Sequence, residues 1–171
     1  MKNKTRRINV PLRYLPNRLS RKDRKSQSRG LLKSRRLYKK GVFFTRKKVS
    51  SFQSKVSPHI IRARKIYNVE KIGATSELAR KSGCSKAALA KIINKGAGAY
   101  FSSGSRPNQT GQSWGIARLA SALTSGKAAV VDYSILQKGC KPNSRALRMA
   151  RKIYGEGKLR HSPKTSLSKK I

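Results

Sequence analysis

Acidic residues are nearly missing from this chain: 5 Asp and Glu stand against 43 Lys and Arg in 171 residues, a net charge of +38. The five carboxylates are scattered and supply neither a paired general acid and base nor a Mg2+ cluster. Two histidines, His59 and His161, give no triad with supporting acids. Neither a Walker sequence nor GxGxxG is present, so a nucleotide cradle is not expected. Two cysteines, Cys84 and Cys140, cannot by themselves build a disulfide framework or a four-ligand zinc site. No apolar run reaches the roughly 18 residues that mark a membrane span. The start, MKNKTRRINVPLRYLP, is basic but has no apolar stretch after it, so secretion is not expected. Without that signal, the glycosylation patterns at Asn3 and Asn108 read as chance. Catalytic, cofactor and metal sites are therefore not expected, nor is a small-molecule substrate. Aromatics are scarce too, at 6% within 36% hydrophobic residues. That is too little for an ordinary core over the whole length and suggests a small domain carrying long arms.

What is abundant is positive charge, and it is unevenly spread. Residues 1–57 hold 20 Lys and Arg against the single acid Asp23, half the net charge in a third of the chain. Such a segment repels itself and orders against something anionic or a preformed groove. A merely solvated basic face fits poorly where almost no acids are interspersed. The expected partner is a polyanion, nucleic acid first and an acidic protein or lipid surface second. Residues 1–57 read as an extended basic arm. Leu12, Tyr14 and Leu15 between Pro11 and Pro16, and Phe43 and Phe44 in a short β-type run, are candidate anchors to a neighbouring protein. Arg46, Lys47 and Lys48 after that run are candidate nucleic-acid contacts, and Arg29 to Tyr38 has the spacing for a helical turn or two.

From Pro58 the pattern turns helical. Pro58 suits a first helical position, and the apolar spacing continues to about Val69. Thr75 or Ser76 caps a helix ended by Gly83. Ser85 caps the next one, Lys86 to about Asn94, which Gly96 and Gly98 are expected to close. A polar loop over 99–111 leads to the clearest amphipathic helix, Gln112–Thr124. Asp132 is placed as the cap of a short helix through Leu136, and Asn143 or Ser144 as the cap of a last one, Arg145–Tyr154. The expected class is mainly α: a small bundle of short helices over 58–154, with basic arms at 1–57 and 155–171.

Two stretches stand out within the bundle. Thr75–Lys95 reads as a helix-turn-helix, with small Ala79 at the crossing and Gly83 in the turn. As a DNA reader it would present Ser85 and Lys86 to the major groove, with Lys91 and Lys95 near phosphate. An ordinary helical hairpin explains the same residues, and a second helix opening without Asn, Gln or Arg reads few base edges. Tyr100 and Phe101, followed by Ser-Ser-Gly-Ser-Arg106, suit either base stacking and phosphate contact or a small aromatic core. Trp114 is in register with Leu119 and Leu123 and reads as core.

The pieces GAY, SSGSRPNQT, SWG-x-ARLAS, GKA and VDYSIL-x-x-GC, in order over 98–140, carry a resemblance. With ELARKSGCS-x-x-AL-x-KI and Pro58-His59-Ile60-Ile61 upstream, residues 40–154 resemble a domain of unknown function in large nucleocytoplasmic DNA viruses of algae and amoebae. Gly111 is a departure and touches only the loop's rigidity. The resemblance implies a virion origin and no activity. The expected role is a non-enzymatic minor capsid or inner-shell protein, made inside the host and housed in the particle. Its partners are coat proteins and, through non-specific phosphate contacts, double-stranded DNA. Genome condensation through the helix-turn-helix is the alternative. A ribosomal-type RNA-binding protein is allowed by composition alone.

Overall fold

The computed structural model describes residues 8–155 and 163–167. Among these the chain is mainly helical, with eight α-helices and one short strand pair. The described residues divide into two units: 8–54, 101–109 and 163–167 form one, 55–100 and 110–155 the other.

The second unit is built as the apolar pattern dictates. α2 (Pro58–Tyr67) starts with its proline at the first turn and ends at Asn68 in the left-handed region. In α3 (Ser76–Ser82) the Thr75 hydroxyl caps Leu78 N–H, and in α4 (Lys86–Ser102) Ser85 caps Ala88 N–H. α5 (Gly111–Leu123) opens on a reciprocal capping box between Thr110 and Ser113, which satisfies two N–H groups that a helix start otherwise leaves orphaned. α6 (Lys127–Val131) and α7 (Tyr133–Gly139) are short. α8 (Arg145–Gly155) is capped by Ser144. Their apolar faces meet in one core that includes Leu78, Leu89, Ile92, Leu119, Leu123, Leu136 and Leu147. Tyr67 is buried there and donates to Leu123 O at 2.7 Å; burial pushes its hydroxyl pKa up to about 12.

Gly96 does not close α4 as expected. A Cβ there would lie 2.6 Å from Gly115 Cα, and one on Gly115 would run into the Ile93 carbonyl oxygen. The two glycines therefore mark where α4 and α5 cross at close range, and α4 continues to Ser102. The Gly115→Ala variant should lose about 1–3 kcal/mol in urea unfolding, because backbone atoms and not a flexible side chain must move.

The first unit departs from an extended arm. It contains an 18-residue helix, α1 (Arg21–Tyr38), capped by Ser20. The strand β1 (Ile8–Pro11) pairs antiparallel with β2 (Lys164–Leu167), Val10 opposite Thr165. A single 3-10 turn, Leu12–Tyr14, follows β1. The buried face of α1 is largely polar: Asp23, Gln27, Leu31 and Ser34. Its side chains tie irregular backbone to the helix. Gln27 donates to the carbonyls of Tyr14 (3.0 Å) and Ser105 (3.3 Å). The Ser34 hydroxyl donates to Phe101 O, and Asp23 accepts from Ser51 N–H at 2.7 Å. Hydrogen bonds from Ser51, and more weakly Ser50, hold the Asp23 carboxyl below its ordinary pKa. This tie is complete at neutral pH and is lost as pH falls through the lowered folded-state value. Asn108 adds the same kind of clamp, accepting from Val49 N–H and donating to the carbonyls of Val49 and Phe52. The Gly41–Thr45 run expected as β-type forms no strand. Residues 1–7, and within the expected C-terminal tail residues 156–162 and 168–171, lie outside the described residues; His161 is among them.

Candidate nucleic-acid interface

Helical periodicity places the charge of α1. Lys22, Lys25, Arg29, Lys33 and Arg36 are all exposed, and steps of three or four residues put them on one face. They span about 21 Å at the α-helical rise. The only acid on this helix, Asp23, is buried and hydrogen-bonded, so nothing on α1 neutralises the stripe. Lys39 and Lys40 continue it past the helix end. Just beyond, the chain turns at Gly41 and Val42 N–H returns to Leu37 O at 3.0 Å. That turn brings Phe43 against Tyr38, ring centroids 6.0 Å apart, and against Phe101 at 5.1 Å. The Tyr38 and Phe101 rings lie nearly parallel, 7° apart in plane. Phe43 leans on both and remains 69% exposed.

The expected contacts divide around this surface. Lys47, Lys48 and Arg106 are exposed. Arg46 is not: it is 7% exposed and donates to Ser105 Oγ at 2.6 Å, so it is a packing residue of its own unit rather than a phosphate contact. Tyr14 and Leu15, expected as anchors to a neighbour, are buried inside the first unit, and Leu12 is half-buried. The pocket they were expected to fill on another protein is supplied by this chain. Phe44 is half-buried with Lys33 Nζ 4.5 Å from its ring centre. The serine-rich stretch after Phe101 faces inward more than expected: Gly104 and Ser105 are buried, and Ser103 O accepts from Arg35 at 2.6 Å.

In the second unit the helix-turn-helix is present as a shape. Gly83 ends α3 at φ +72°, and α4 follows after Cys84 and Ser85. Cys84 forms a disulfide with Cys140. Backbone bonds from Ser85 N–H to Gly139 O (2.7 Å) and from Lys141 N–H to Gly83 O (2.8 Å) flank it. The turn is thus fastened to the segment joining α7 and α8, and Ala88 on the first turn of α4 packs on Gly139. Ser85, Lys86 and Lys91 stay exposed, though Lys86 reaches Ser76 Oγ at 3.3 Å. Lys95 is paired with Asp132, Nζ to Oδ1 2.8 Å. Arg118 holds the same carboxylate through two bonds of 2.7 and 2.8 Å. Asp132 stands at the N-cap position of α7, but its side chain makes no cap hydrogen bond there. Two cations take its oxygens instead.

Trp114 is half-buried on α5. His59 is also half-buried, its ring 3.2 Å from Thr124 Oγ1, and burial followed by Arg62 lowers its pKa. Among the described residues no three His, Cys, Asp or Glu gather as a metal site, and no helix is long and apolar enough to cross a membrane.

A model of a family of unknown function, DUF5824, matches residues 11–144. The chain belongs to this family. No curated protein and no solved structure matches it. The DUF5824 match reaches further toward the N-terminus than the resemblance that begins near residue 40. It takes in the whole of α1, which argues that the cationic helix is part of the family's domain and not an appendage.

Proposed function

We propose that this chain is a non-enzymatic structural protein of a large DNA virus particle, an inner-shell or minor capsid component whose basic surface faces the genome. The observation that carries the reading is the α1 stripe: exposed cations on one helical face, with the helix's single acid turned inward. A helix whose charge is sorted this way suits sequence-independent phosphate contact. The viral side of the reading rests on the resemblance of residues 98–140. The Cys84–Cys140 disulfide supports it, since such bonds persist on virions and in other oxidising surroundings and are rare in cytosolic proteins. The open apolar surface lined by Leu12, Pro16 and Pro163 is what remains of the anchor region for a coat subunit.

Cross-linking mass spectrometry on intact particles, before and after nuclease treatment, tests this. Links from the lysines of α1 to coat proteins that survive nuclease support the shell role. Links that vanish with the DNA leave a genome-packing protein, and absence of the chain from the particle removes the virion reading.

The helix-turn-helix is favoured as a second reading only by its capped α3 and its Gly83 turn. Of its candidate contacts, Lys95 is taken by Asp132 and the first turn of α4 is pinned on Gly139. The full-length Lys86→Gln/Lys91→Gln variant is therefore expected to bind duplex DNA with an unchanged salt slope. A slope lower by about two would make these lysines phosphate contacts and restore the reader.

A further inference from the structure

We propose that the outer face of α8, with the turn that leads into it, is a second nucleic-acid surface of this chain, holding the phosphates of duplex DNA on the unit that does not carry α1. The proposal rests on the polyanion reading above and adds a site to it. α8 buries Ala146, Leu147 and Ala150 in the core, so its opposite side faces outward. From Arg145 to Lys152 every exposed position is a cation: Arg145, Arg148, Arg151 and Lys152. At about 100° per residue these four fall within roughly 120° of arc, on one face. No other helix of this unit is sorted in this way. Exposed cations on α2, α3, α4, α6 and α7 stand among exposed apolar, neutral or acidic residues. No acid occurs between Asp132 and Gly155.

Hydrogen bonds join these groups into one surface. Arg151 Nη1 donates to Pro142 O and Arg145 Nη1 to Ile66 O, both at 3.3 Å. Each bond takes one of the five N–H donors of a guanidinium, which positions the fork and leaves the others available. The Arg151 bond ties the outer face of α8 to the turn before it, where Lys141 is exposed next to Pro142. That turn is itself fastened, by Lys141 N–H on Gly83 O (2.8 Å), by Ser144 N–H on Lys141 O (2.9 Å) and by the neighbouring disulfide. Charge density selects the partner. The face from Arg145 to Lys152 is about 10 Å long at the α-helical rise. Duplex DNA carries one negative charge per roughly 1.7 Å of axis, about six over this length. An extended acidic peptide turns a side chain to the same side every second residue, about 6.6 Å, and so offers about two. Arginine forks also match phosphate oxygens bidentately.

The test is fluorescence anisotropy on the full chain with a labelled DNA duplex over a range of salt. It is made in a Lys22→Gln/Lys25→Gln/Arg29→Gln background, which removes three cations of the α1 stripe and should still bind the duplex. Adding Arg148→Gln/Lys152→Gln should lower the slope of log affinity against log salt by about two. Adding Lys86→Gln/Lys91→Gln instead takes the same charge from the same unit and should leave the slope as it is. Circular dichroism and urea unfolding should match across the set, since all the altered side chains are exposed. Poly-glutamate should compete less well than unlabelled duplex at equal charge. The proposal is overturned if the background no longer binds, if Arg148→Gln/Lys152→Gln leaves the slope unchanged, or if both pairs lower it equally. Displacement by poly-glutamate as effective as by duplex overturns it too and makes an acidic protein the partner. Those outcomes leave the α1 stripe standing as a polyanion face; failure of the unaltered chain to bind duplex sinks both.

Discussion

Reducing the Cys84–Cys140 bond is expected to destabilise the helical unit by about 4 kcal/mol, the chain-entropy value for a closed loop of this length. The cysteines are 56 residues apart in sequence, so the bond removes a large share of the conformations open to the unfolded chain. In the folded state it joins the turn between α3 and α4 to the turn between α7 and α8. Gly83, Ser85, Gly139 and Lys141 are already hydrogen-bonded to each other around it, so the native backbone is arranged for the cross-link. Urea unfolding with and without dithiothreitol reads the effect, and the Cys84→Ala/Cys140→Ala variant should resemble the reduced protein. Thiol titration in denaturant should find no free thiol before reduction and both afterwards. Free thiols in protein taken from its native setting would remove the disulfide's support for an oxidising, particle-bound location. Unchanged stability on reduction would show that the flanking backbone bonds alone hold the two turns together.

How much of this was legible in the sequence depended on which chemistry each segment uses. Caps at Thr75 or Ser76, at Ser85, and at Asn143 or Ser144 announced three helices, because an N-cap side chain serves backbone N–H groups within three residues and is a local signal. α5 was legible from its apolar stripe, while its cap at Thr110 went unread inside the polar loop. Gly96 misled, since a glycine that ends a helix and one that admits a neighbouring helix look alike until the partner, Gly115, is known. α1 was largely hidden. Its inward face carries Asp23, Gln27 and Ser34, whose partners are the backbones of residues 14, 44, 51, 101 and 105 and the Ser50 hydroxyl. Apolar periodicity cannot report a face that binds through polar side chains. The recurrence of lysine and arginine at three- and four-residue steps from Lys22 to Arg36 was the available signal. Arg46 shows the converse: a basic residue in a basic run, yet buried, because Ser105 gives it a partner and Gly30 leaves room for its stem. Strand pairing between residues 8–11 and 164–167 lies beyond any local pattern.

Replacing Asp132 with alanine should cost the fold about 3–5 kcal/mol, the range for removing one partner of a buried ion pair. The carboxylate is fully buried, and both its oxygens are engaged, one by Arg118 Nε and the other by Arg118 Nη2 and Lys95 Nζ. The two cations are not equivalent. The Lys95 side chain is 47% exposed and can turn to water, whereas that of Arg118 is 18% exposed and would be left charged in a poorly hydrated place. The damage therefore comes mostly from the stranded guanidinium and not from the lost attraction. Arg118→Met/Asp132→Leu, which removes both charges and keeps apolar bulk, should lose far less than Asp132→Ala alone, giving a strongly non-additive double-mutant cycle in urea unfolding. Lys95→Gln should cost well under the Asp132→Ala value, as expected for a half-exposed pair. Additive effects would mean that Arg118 and Asp132 contribute independently, and the stranded-charge account would fail. The same carboxylate links α4, α5 and the start of α7, so Lys95 serves the core of the second unit.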